Sequence, residues 1–112
     1  MKTLVIKIIF TGLLLLLSLS SFAQEALWEQ LNSQAVTLYQ DGQSMEAIKV
    51  TEEVLIVAKE TFGPEHPKVA TALNNLGVFY FSIGKHKESE NFYKQALRMR
   101  ETTLGPDHPF VA

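Results

Sequence analysis

The sequence predicts an all-α chain built as a solenoid of stacked helical pairs, and three observations carry that prediction. First, Thr61-Phe62-Gly63-Pro64-Glu65-His66-Pro67-Lys68-Val69-Ala70 returns at an offset of 42 as Thr103-Leu104-Gly105-Pro106-Asp107-His108-Pro109-Phe110-Val111-Ala112. The same offset then holds backwards, pairing Leu31 with Leu73, Asn32 with Asn74, Val36 with Val78, Gly42 with Gly84 and Glu46 with Glu88. Second, apolar residues recur at helical and not strand spacing. Third, a glycine falls at the same place in each unit. A period of 20 to 50 residues marks supersecondary units that bury their apolar faces against one another. At 112 residues, 46% hydrophobic and without cysteine, the chain suits one small domain. A disulfide-stapled scaffold and a cysteine-ligated metal site are excluded.

The first stretch, residues 1–23, is expected to stand outside the fold as a secretory signal peptide. Positive charge at Lys2 and Lys7 precedes an apolar run from Ile8 to Leu19 that contains five consecutive leucines, and Ser20 and Ser21 follow it. Small residues at Ser21 and Ala23 place the cut after Ala23, so that the mature chain begins at Gln24. A membrane anchor needs roughly 18 or more apolar residues, and Lys7 shortens this run to 12. No cysteine is present at the cut for a lipid anchor. The expected location is therefore outside the cytoplasm, periplasmic or extracellular. Removal of two lysines and no acid leaves 89 residues at a formal charge of −4, which argues against nucleic acid or an anionic membrane as the main partner.

Unit one is expected over residues 24–66. Its first helix carries Leu27, Leu31, Ala35 and Leu38 on one stripe, and Asp41-Gly42-Gln43 ends it, because glycine accepts the left-handed conformation that closes a helix. Its second helix turns Ala47, Val50, Val54, Leu55 and Ala58 inward. Unit two, residues 67–109, repeats the pattern with Val69, Leu73, Leu76, Gly77 and Tyr80, then the break Ile83-Gly84-Lys85, then Phe92, Tyr93, Ala96, Leu97 and Met99. The pairs Ala35/Ala47 and Gly77/Ser89 sit on facing helices near the connecting turn, where close backbone approach excludes bulk.

These features resemble the tetratricopeptide repeat family. The 42-residue period and the Leu-Gly-Pro-Asp-His-Pro corner resemble the kinesin light chain type in particular. The stretches Ala72-Leu73-Asn74-Asn75-Leu76-Gly77-Val78-Phe79-Tyr80 and Gly84-Lys85-His86-Lys87-Glu88-Ser89-Glu90 carry the likeness in unit two. Unit one departs from the pattern at Gln34, where leucine is usual, and at Thr51, where an aromatic is usual; unit two departs at Ser89, where alanine is usual. The resemblance implies a right-handed solenoid and a role in protein binding. Kinesin light chains are cytosolic cargo adaptors, a role at odds with a signal peptide, whereas similar repeats occur in exported bacterial proteins and in sensor regions of membrane histidine kinases.

Chemistry is sparse. The chain past the leader has no paired metal-ligand spacing, no glycine-rich phosphate loop before a helix and no serine or cysteine nucleophile pattern. His66 beside Glu65 and His108 beside Asp107 are the best candidates for a metal site. They occupy equivalent corners with two helices between them, and helices pack about 8 to 10 Å apart, so both imidazoles cannot reach one zinc at about 2.1 Å. Capping explains them better: Pro67 and Pro109 suit a first helical position, which puts the histidine at the N-cap. No catalytic residue, metal or cofactor is expected. Lys85, Lys87, Lys94, Arg98 and Arg100 make the last helix basic, but Glu90 stands four before Lys94 and Glu101 three after Arg98. Those are the spacings of intrahelical pairs on a solvated face.

The resemblance also implies where a partner binds. First helices of such units line a concave groove, which in this chain selects Asn32, Val36 and Tyr39 from unit one and Thr71, Asn74, Asn75, Val78 and Phe81 from unit two. Asparagine both donates and accepts, which suits the backbone of an extended peptide. The alternative is that Asn32 and Asn74 bond to each other's helices and bind nothing. No lysine or arginine falls on the stripe, which disfavours a carboxylate clamp there. The function expected is an exported scaffold that binds a peptide or protein. The runner-up is an N-terminal sensor or regulatory segment of a longer signalling protein such as a membrane histidine kinase. Residues 110–112 repeat the opening of unit two, so a third unit is expected to begin there, with Phe92, Tyr93, Ala96 and Met99 left partly covered and able to support self-association.

Overall fold

The computed structural model describes residues 2–105 and 107, side chains of residues 10–19 excepted. Pro106, His108, Pro109 and the expected third-unit start at 110–112 lie outside the described residues. Four helices follow one another: α1 (Lys2–Gln40), α2 (Ser44–Phe62), α3 (Pro67–Ser82) and α4 (His86–Leu104). Each packs against the next, so that α1/α2 and α3/α4 form two antiparallel pairs and α2 against α3 joins them. The chain is an all-α tandem of helix-turn-helix units.

The turns show why the helices stop. Gly42 sits at φ +82° and Gly84 at φ +80°, a conformation with a steric penalty for any residue bearing a Cβ. In the first turn Gln43 N–H reaches Leu38 O at 2.8 Å and Gly42 N–H reaches Tyr39 O at 3.0 Å. In the second, Lys85 N–H reaches Tyr80 O at 3.0 Å and Gly84 N–H reaches Phe81 O at 3.0 Å. Both are Schellman closures that satisfy the last carbonyls of their helix. At the start of α3, His66 is the N-cap with Pro67 following. His66 Nδ1 accepts from Lys68 N–H at 3.1 Å, so the side chain satisfies a donor the helix itself leaves open.

The helix α1 runs through Ala23 and Gln24 without interruption. Nothing in this stretch breaks a helix at that junction, and leucine is a strong helix former. The described side chains of residues 2–9 and 20–27 are exposed and lie outside the core. Among the described residues no helix is long and apolar enough to cross a membrane.

The core begins at Trp28. One cluster joins Trp28, Val54, Ala58, Val69, Ala72, Leu73 and Ala96, and a second joins Ala35, Ala47, Ile48, Leu76 and Phe79. Burial corrects the expected stripes at several places. Leu27 is 44% exposed and Trp28 only 9%, because α1 packs on α2 and no described helix covers its other side. Ile48, Thr51 and Phe79 are buried although no stripe included them. Ala96, expected to be partly covered, is buried, and Phe92 packs against both clusters. Tyr93 and Leu97, expected inward, are instead exposed. Their counterparts Thr51 and Leu55 lie in a unit with α3 packed beside it, whereas no described helix follows α4.

The close approach expected near the turn is present. Ser89 Oγ donates to Gly77 O at 2.6 Å in a buried bond across α3 and α4. A Cβ on Gly77 would lie 2.8 Å from Tyr93 Cε1 and 2.9 Å from Cδ1.

Candidate functional site

The stripe of Asn32, Val36 and Tyr39 on α1 and Thr71, Asn74, Asn75, Val78 and Phe81 on α3 divides on inspection. Asn32, Val36, Thr71, Asn74, Asn75 and Val78 are half-buried. That is the exposure of a surface accessible to a ligand yet backed by core residues such as Leu73 and Leu76 on the same helix. Helical geometry sets this: Asn74, Asn75 and Val78 share one face of α3, while Leu73, Leu76 and Phe79 turn inward.

Hydrogen bonding separates the two readings of the asparagines. Asn32 Oδ1 is buried without a partner, and Asn74 and Asn75 take part in no side-chain hydrogen bond among the described residues. No interhelical bond between Asn32 and Asn74 is formed among the described residues. A buried amide oxygen with no acceptor role filled carries a desolvation cost of about 1 to 3 kcal/mol, and a donor from a bound backbone would offset it.

Three residues of the stripe have other engagements. Thr71 Oγ1 donates to Pro67 O at 3.2 Å, which turns the hydroxyl proton back along its own helix. The Tyr39 ring lies 4.8 Å from that of Phe79, tilted by 32°, so it helps hold α1 to α3. Phe81, 60% exposed, sets its ring 4.8 Å from His86 at 65°. It lines a hollow of about 350 Å³ with Tyr93, Lys94 and Leu97 of α4. The structure thus draws Phe81 toward α4 and away from the asparagines, since the last turn of α3 faces the first turns of α4.

Sequence reasoning missed an aromatic and cationic cluster at the opposite end. Lys68 Nζ lies 4.4 Å from the ring centroids of both Trp28 and Phe62. Trp28 meets Phe62 edge-on at 5.9 Å, and Phe62 stacks on His66 at 4.9 Å. The only tryptophan in the chain, one residue after the assigned stripe position, was the signal available for it. The cluster ties α1, α2 and α3 together, each cation–aromatic contact contributing about 0.5 to 1 kcal/mol at a partly exposed site.

Burial, with Glu52 and then Glu88 nearby, raises the Tyr80 phenol above its ordinary value. Glu90 is held below the usual carboxylate range by the hydrogen bond from Lys94 and by its charge, at 2.9 Å in an exposed pair. Among the described residues the companion pair expected between Arg98 and Glu101 is not formed. Among the described residues no group of three or more His, Asp or Glu side chains is gathered to hold a metal ion. His66 acts as a cap and His108 lies outside the described residues.

A family model described as a tetratricopeptide repeat matches residues 26–102. Comparison with curated proteins gave no match.

Proposed function

The chain belongs to the tetratricopeptide repeat family, and from that premise we propose that it is an exported scaffold which holds an extended peptide of a partner protein along α1 and α3. Protein–protein interaction is the general role of such modules. The observation that carries the finer reading is the set of unbonded amides: Asn32 Oδ1 is buried and unpartnered, and Asn74 and Asn75 are half-buried and unbonded. Amides of this kind donate and accept together, so they pair with a peptide backbone whatever its side chains, while Val36 and Val78 offer apolar contact between them.

The 42-residue offset supports repeats of the kinesin light chain type, with units at 24–66 and 67–109. The charged start, leucine run and small residues at Ser21 and Ala23 support an export leader over residues 1–23. The described side chains of this stretch, residues 2–9 and 20–23, are exposed, so none of them is a core contact that cleavage would remove.

Titration with a partner recovered from the exported fraction tests the reading. Changing Asn74 and Asn75 together to alanine should weaken binding about 5- to 150-fold with helicity unchanged, each neutral hydrogen bond being worth about 0.5 to 1.5 kcal/mol. An unchanged titration refutes the groove. Intact mass of the exported chain should show Gln24 as its first residue.

A further inference from the structure

A second hollow, distinct from the α1/α3 stripe, lies between the second helices of the two units. Its volume is about 550 Å³, and its lining comes from Lys59 of α2, Pro64 and Glu65 of the following loop, Leu73 of α3, and Asn91, Gln95, Arg98, Met99 and Thr102 of α4. The size falls in the range of ligand sites, about 300 to 1,000 Å³. Because α2 and α4 both pack antiparallel to α3, they are parallel to one another, and the 42-residue offset sets Lys59 in register with Glu101, in the turn that carries Arg98 and Thr102. By that register the two cations belong to one end of the hollow and Asn91 to the other, with Gln95 between.

The polar lining groups of α2 and α4 have bonding capacity left over. Neither Lys59 nor Arg98 is in an ion pair among the described residues, although Glu101 follows Arg98 by three. Gln95 Nε2 donates to Asn91 Oδ1 at 3.4 Å, which leaves the Gln95 carbonyl oxygen and the Asn91 NH₂ group for another molecule. Thr102 Oγ1 donates to Arg98 O at 2.9 Å and keeps its lone pairs. Leu73 and Met99 supply an apolar floor, and methionine adapts its shape to what it meets.

We propose that this α2/α4 hollow binds an extended acidic peptide segment, with carboxylates set against Lys59 and Arg98 and the peptide backbone set along Asn91 and Gln95. Length supports a peptide over a simple anion. From Asn91 to Thr102 the α4 wall runs about 16 Å at 1.5 Å per residue, the span of about five residues of extended chain at 3.3 Å each. Charge supports an acidic one, since two cations face a single acid, Glu65, in the lining. The surface and the residues differ from those of the concave stripe, so either site can fail without the other.

The test uses the 112-residue chain and two pools of fluorescein-labelled, end-capped pentapeptides, read by anisotropy. One pool alternates Asp or Glu with Leu or Ala, and the other replaces each acid by its amide. The acidic pool should bind at least about fivefold tighter than the amide pool. The pair Lys59→Met and Arg98→Met, both at exposed positions, should abolish that preference with unchanged helicity. Glu65→Gln should raise acidic-pool affinity about twofold, a gain that cannot come from misfolding. Equal binding of the two pools, no binding, or a preference untouched by Lys59→Met/Arg98→Met overturns the proposal. So does a preference lost with Asn74→Ala/Asn75→Ala in their place, which would move the acidic peptide to the concave stripe.

Discussion

Replacing Gly77 by alanine isolates the contact that sets the spacing of α3 and α4. Gly77 is buried inside α3, where alanine is favoured over glycine by about 1 kcal/mol in helix propensity. Against that gain, the new Cβ would stand 2.8, 2.9 and 3.0 Å from Cε1, Cδ1 and Cζ of Tyr93. Relieving such overpacking typically costs about 1 to 3 kcal/mol. The balance predicts that Gly77→Ala is neutral to destabilising by about 2 kcal/mol. Unit one shows the compensated arrangement, because the equivalents of Gly77 and Tyr93 are Ala35 and Thr51, both fully buried. Gly77→Ala introduced into Tyr93→Thr should therefore stabilise by about 1 kcal/mol, giving a coupling of about 1 to 3 kcal/mol across the double-mutant cycle. Thermal melts of the four chains by circular dichroism read this, each kcal/mol moving Tm by about 4 to 8 °C in a domain of this size. If alanine raises Tm equally in both backgrounds, the Tyr93 ring swings aside at no cost and does not fix the helix separation. Since Tyr93 is 37% exposed, that outcome has a physical route and the measurement discriminates.

Two further predictions follow from the caps and from titration. His66→Ala removes the bond to Lys68 N–H and the stacking on Phe62 and should destabilise by about 1 to 2 kcal/mol. His66→Asn keeps the cap and should recover about half of that loss in a urea unfolding series. The raised pKa of Tyr80 means the folded chain holds the phenolic proton more tightly than the unfolded chain. Its contribution is fully present below the ordinary tyrosine value near 10 and is lost as pH rises through the folded value. Stability measured from pH 9 to 11 should therefore fall above pH 10 less steeply in Tyr80→Phe, which retains the ring packed 5.4 Å from Phe92; an identical fall in both chains would show that Tyr80 is not the group responsible.

What the sequence determined by itself was local. The glycines at 42 and 84 close their helices through bonds within a few residues, and His66 with Pro67 opens α3 through a bond two residues away. Repetition at 42 residues likewise made the pairing of helices legible, because each unit must bury its apolar stripe against the next. Burial at the edges was decided only by tertiary structure. Leu27 and Trp28 are adjacent and both apolar, yet only Trp28 is covered, by Phe62 and Lys68 from two other helices. Leu55 and Leu97 are the same residue at the same position of their units, and they differ in exposure because α3 follows one unit and no described helix follows the other. The site shows the same division: helical spacing put Asn74, Asn75 and Val78 on one face, but whether their amides were already spent, whether Phe81 belonged with them, and whether Arg98 had found an acid depended on neighbours brought from elsewhere in the chain. Secondary structure follows from interactions within a turn or two of the backbone, whereas exposure and bonding capacity depend on which surfaces the whole chain brings into contact.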